Sequence, residues 1–147
     1  MAEEINVTIN DANLRQYFSE LKSKGLNPQP LLEQLGGIIQ DAVADNFDQQ
    51  GRPAWTPLKA TTIKDRNKHG YNGPILQNTG KLKRSITRKV TTNYVTVGTN
   101  LEYAAIHNFG GPCGVNHSVD MPKREFIQLT EIDLNDLEKT AAKYVDI

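Results

Sequence analysis

The sequence is short of the groups that most enzyme and membrane classes require. Its 147 residues include one cysteine, Cys113, one tryptophan, Trp55, and three histidines. A lone cysteine excludes an internal disulfide and any C-x-x-C pair. No Walker loop, G-x-S-x-G elbow or H-E-x-x-H pattern occurs. No apolar run nears the roughly 18 residues that a bilayer span needs. The opening MAEEINVTIN is acidic and alternating, unlike the basic start and apolar stretch of a signal peptide. Together these absences predict a protein of a reducing cytoplasm, without a membrane partner, cofactor or catalytic residues.

Net charge is absent too, but only as a total. Residues 1–51 sum to −5, residues 52–90 to +9 and residues 91–147 to −4, so the formal charge is zero. In the middle stretch ten Lys and Arg stand against Asp65 alone. A segment this basic can attract phosphate or an acidic partner while the whole molecule stays neutral. It can equally serve self-association between acidic and basic surfaces, or simply form a solvated face.

Metal-like ingredients are confined to His107, Cys113 and His117. A structural zinc site wants four ligands, usually in tight pairs, and these three have no clear fourth. A nucleophilic Cys113–His107 pair lacks the third, orienting group that such chemistry needs.

Ile5, Val7 and Ile9 alternate with polar residues and predict a half-buried strand. Asn10 or Asp11 can cap the helix that carries Leu14, Tyr17, Phe18 and Leu21, which Gly25 ends. A stronger helix follows with Leu31, Leu35, Ile38, Ile39, Ala42, Val43 and Phe47 on its apolar face and Gly51 as its stop. Gly36 and Gly37 sit inside it at about 1 kcal/mol each relative to alanine, which a close helix contact would explain.

The periodicity then fades. Two prolines bar a regular helix over 52–57, a short helix is expected from about Leu58 to Arg66, and the stretch 52–76 as a whole reads as a long, mobile loop. Trp55 within it has two readings, an aromatic anchor for a partner or a plug packed on the core. Strands are expected at Ser85–Lys89 and Tyr94–Thr99 with a turn at Thr92-Asn93, then a short helix or turn over Leu101–Phe109. A loop should follow to about Val119, then a strand over Glu125–Leu129. Thr130 should cap a last helix with Ile132, Leu134, Leu137 and Ala141 inward. The predicted class is α+β in a single domain over 1–147, an antiparallel sheet packed on two or three helices.

Four pieces in order carry a resemblance: W-T-P-L (55–58), I-L-Q-N-T-G-K-L-K-R-S-I (75–86), V-T-V-G-T-N-L-E-Y-A-A-I-H-N-F-G-G (95–111) and M-P-K-R-E-F-I (121–127). Across about residues 38–130 the chain resembles the virion-morphogenesis, or tail-completion, family of Mu-like phages. It echoes the related head–tail joining proteins, where T-G-x-L-x-x-S-I and Y-A…E-F-G precede P-x-x-F-L. One departure is Arg124-Glu125, where an arginine–proline pair is usual.

The resemblance implies a structural protein of a tailed phage or prophage, a virion component put together in the host bacterial cytoplasm. It would act in tail completion or at the neck, in head-to-tail joining, as a homo-oligomeric ring, commonly six-fold in relatives. Its partners would be further copies of itself, neighbouring tail or neck proteins and transient, non-specific DNA. Trp55, Leu82, Tyr103, Ile106, His107 and Phe109 are then the expected subunit or partner contacts. Arg52, Lys59, Lys64, Arg66 and Lys68 are expected to line a lumen or meet an acidic neighbour. The rival expectation is a small nucleic-acid-binding protein that uses segment 52–90, opposed by the neutral total and by few aromatics near the basic stretch.

Overall fold

The computed structural model describes residues 11–77 and 79–146. The expected strand through Ile5, Val7 and Ile9 lies outside them. Six α-helices and two antiparallel hairpins among the described residues make an α+β fold: α1 (Ala12–Ser23), α2 (Gln29–Asp48), α3 (Ala60–Lys68), α4 (Lys81–Arg84), β1 (Thr87–Val90), β2 (Val95–Gly98), α5 (Ala104–Phe109), β3 (Gly111–Cys113), β4 (Val119–Met121) and α6 (Glu131–Val145). Among the described residues the strands form two separate two-stranded sheets, β1 with β2 and β3 with β4, in place of the one sheet expected.

The long helices form where side chains can satisfy their free ends. Asp11 accepts from the Leu14 amide and starts α1, and Thr130 and Asp133 form a reciprocal capping box at the start of α6. Ile132 does not point inward as its spacing suggested. It lies in the first turn of α6 and is 72% exposed, while Leu137 and Ala141 carry the buried face.

α2 is the shared element of two apolar clusters. Its first half packs Leu31 and Leu35 with Leu14 and Leu21 of α1 and with Leu137, Ala141 and Val145 of α6. Its second half packs Val43 and Phe47 with Trp55, Leu82, Ile86, Val97 and Phe126, and Ile39 touches both clusters. The glycine inside α2 serves a strand, not another helix. A Cβ on Gly36 would lie 2.7 Å from Cγ2 of Val95 in β2, so only glycine lets the β1–β2 hairpin sit this close.

Three further expectations change. The short helix begins at Ala60 and ends at Lys68, shifted from Leu58–Arg66, so the 52–76 stretch holds a helix with no buried residue. The expected loop after Gly110 contains the β3–β4 hairpin, with a 3-10 turn over Val115–His117 between its strands. Among the described residues the stretch Glu125–Leu129 joins no sheet. Two buried asparagines satisfy its backbone instead. Asn108 Oδ1 accepts from the amides of Phe126 and Ile127, each at 3.1 Å. Asn46 Nδ2 donates to the carbonyls of Phe126 at 2.7 Å and Gln128 at 2.9 Å. These side-chain bonds occupy backbone groups that a neighbouring strand would otherwise satisfy.

Candidate interaction groove

The expected site residues divide according to whether the fold buries them. Trp55 is 7% exposed, stands edge-on to Phe47 at 5.9 Å, and donates its indole N–H to the Glu125 carbonyl at 3.0 Å. In this fold it is the plug. Arg52 is likewise internal. Its guanidinium donates to Asn46 Oδ1 at 2.7 Å, to the Ala42 carbonyl at 2.8 Å and to Asp133 Oδ2 at 2.9 Å, tying the 52–57 turn to α2 and α6. Burial alone would raise the Asp133 carboxyl, but hydrogen bonds from Thr130 and Arg52 outweigh it and hold the group below its ordinary value.

Outside this core lies a groove of about 680 Å³ between α3, the turn into α4, the start of α5 and β4. Leu82, 4% exposed, reaches it from the core, while Tyr71, Tyr103 and Val119 line it from exposed positions at 39%, 41% and 48%. Tyrosine, methionine and arginine are the residue types enriched in protein interfaces, and Met121 and Arg124 complete that set here. The groove is also basic. Lys59, Arg66, Lys81 and Arg124 line it against two carboxylates, Asp65 and Asp120.

Two groups on its lining are electrostatically incomplete. Arg124 is 5% exposed, and its guanidinium donates only to backbone, to the carbonyls of Thr56 at 2.9 Å and Pro57 at 3.4 Å. Among the described residues no carboxylate pairs with it. Burial pushes its pKa down, the sign of a cation short of compensation. His107, edge-on to Tyr103 at 6.0 Å, has its pKa lowered by burial and then by the Arg124 charge. Its Nδ1 is buried without a hydrogen-bond partner. The backbone joins the two residues, since the Arg124 amide donates to the His107 carbonyl at 2.9 Å. Gly110 permits that approach: a Cβ there would lie 2.8 Å from the Lys123 nitrogen.

The groove therefore gathers Lys59, Arg66, Leu82, Tyr103 and His107 from the expected set. Phe109 is 56% exposed outside it and Ile106 is half-buried beside it. Lys64 and Lys68, four apart on α3, face solvent and do not line it, and Arg66 is already engaged with the carbonyls of Gly73 and Pro74. Sequence reasoning missed Arg124, Lys81 and Tyr71. Arg124 is the arginine of the usual arginine–proline pair, whose proline is replaced by Glu125 here, but nothing in its type or spacing signals burial. Among the described residues no group of three or more His, Cys, Asp or Glu is arranged to hold a metal, and no helix is long and apolar enough to cross a membrane.

The α+β fold thus carries an exposed groove lined by aromatic and basic side chains. The family model for phage virion morphogenesis matches residues 9–146, and the chain belongs to that family. Mu-like prophage FluMu G protein 2 of Haemophilus influenzae is 35% identical to it over 144 residues, which is 97% of each chain. Protein G of Escherichia phage Mu, whose name ascribes to it a capsid-assembly role, is 25% identical over 135 residues, covering 88% of this chain and 86% of its own. No solved structure matches the chain significantly. The protein is thus of a phage structural and assembly class.

Proposed function

We propose that the protein acts at tail completion or head-to-tail joining, as a ring-forming subunit on the particle axis that works by self-association and docking. The observation that carries this reading is the exposed groove, whose tyrosines and basic residues surround a buried, uncompensated guanidinium. Exposed tyrosines and a buried cation without a carboxylate make a surface that an acidic partner would complete. The family membership and the two Mu-like relatives support a role in particle assembly.

Lys64 and Lys68 on the outward face of α3 are the residues we assign to passing DNA. α3 buries no side chain, so it presents these charges without a structural commitment of its own. Phosphate attraction from so few lysines is weak and salt-dependent, as suits DNA that must slide.

The test is electron microscopy of particles made with this gene deleted. Separate filled heads and tails, or tails with abnormal ends, are expected. Normal, joined and infectious particles would overturn the reading and leave the nucleic-acid-binding alternative, for which tight duplex binding by the isolated protein at physiological salt is the signature.

A further inference from the structure

We infer that the groove receives the acidic end of α2 from a second copy of this chain. The inference rests on the self-association reading above and names its surfaces. On the groove side the need is for negative charge: four cationic side chains line it, and Arg124 lacks a carboxylate partner among the described residues.

On the other side stands an unusual helix end. α2 carries Glu33, Asp41, Asp45 and Asp48 and no Lys or Arg, and its last turn holds no basic residue. Asp45 and Asp48 fall in its last turn, where the helix dipole is itself negative and disfavours carboxylates, and Asp41 lies one turn before them. They are spaced four and three apart, so they also repel one another. Asp48 pairs with Lys83, whereas Asp41 and Asp45 are exposed and have no cationic partner among the described residues. An arrangement unfavourable within one copy becomes favourable when a basic surface covers it.

A carboxylate from Asp41 or Asp45 would give Arg124 the charge partner it lacks, and Lys59 and Lys81 would flank the contact. The tyrosines and Val119 would shield it from water, which strengthens each charge pair.

The test uses full-length protein in sedimentation velocity at low and at physiological salt. Wild type should self-associate, more weakly as salt rises. Lys59→Glu with Lys81→Glu, and separately Asp41→Lys with Asp45→Lys, should each weaken association at least tenfold. All four positions are exposed, so circular dichroism should show both variants folded. An equimolar mixture of the two should recover a mixed complex. Association unchanged in both variants would overturn this pairing and leave self-association standing through another surface. A wild type monomeric even at low salt would overturn it as well, while the gene-deletion phenotype would judge the assembly role independently. Loss of duplex DNA binding in the Lys59→Glu, Lys81→Glu variant with no change in mass would overturn it in favour of a phosphate ligand.

Discussion

The two halves of the molecule that share α2 are stabilised in different ways. Where α1, α2 and α6 meet, the buried groups are leucines, an alanine and a valine, and the backbone satisfies itself within helices. Around Trp55 and Phe126 the apolar packing is interleaved with hydrogen bonds between backbone and the side chains of Asn46, Asn108, Arg52, Trp55 and Arg124. The first half tolerates any residue of the right size and pattern. The second depends on named donors and acceptors, each unforgiving because a stranded partner is left buried.

The comparison can be broken or sharpened by substitution, beginning with the largest effects. Phe126→Ala removes a fully buried ring packed at 5.2 Å on Phe47 and should cost about 4 kcal/mol in urea denaturation. Leu137→Ala in the helical half should cost about 3 kcal/mol. Both variants should still unfold in one transition, because α2 belongs to both clusters; two separated transitions would show that the halves are independent.

Asn46→Ala strips two carbonyls and the Arg52 guanidinium of a partner, for an expected loss of about 3 kcal/mol. A change at Asn46 costing no more than a surface substitution would erase the distinction between the halves. Thr130→Ala removes the cap of α6 and should cost about 1 kcal/mol, visible as a small fall in midpoint.

The smallest effect is set by pH. His107 has its folded pKa depressed below 6.5, so the unfolded chain binds the proton more readily. Stability should be fully present above pH 6.5 and decline as pH falls from there toward the folded value. His107→Gln should remove that slope. A slope of equal size in both proteins would assign it to other groups.

The same contrast governs what could be read from sequence. Helices α1, α2 and α6 follow from their periodic apolar residues, and the Thr130 cap from its type and place. The β1–β2 hairpin follows from β-branched residues around a turn. The β3–β4 hairpin was invisible, because Gly111-Pro112-Cys113 has no alternation and strands of three residues bear no pattern. The segment at Glu125–Leu129 was seen as a strand, but among the described residues its partners include asparagine side chains 18 to 82 residues away in sequence. Arg52 and Arg124 were counted as part of charge blocks, whereas Arg52 is held by Asn46, Asp133 and the Ala42 carbonyl and Arg124 by the carbonyls of Thr56 and Pro57. Charge counting cannot tell a solvated guanidinium from one that binds backbone. The family was legible because its four motif pieces keep their order. The groove was legible only in part, since four of its elements come from separate stretches of chain.

One consequence follows from Gly36. Twin glycines are where a 20-residue helix would be expected to flex, and α2 spans roughly 30 Å. Yet the notch at Gly36 is filled by Val95 and Arg88 of the neighbouring hairpin, which wedges the one natural joint. The helix should then behave as a stiff lever. A load applied at its acidic end would not be absorbed as bending but would tilt the α1 and α6 end as a whole, so that a tug on one contact reorients the entire subunit.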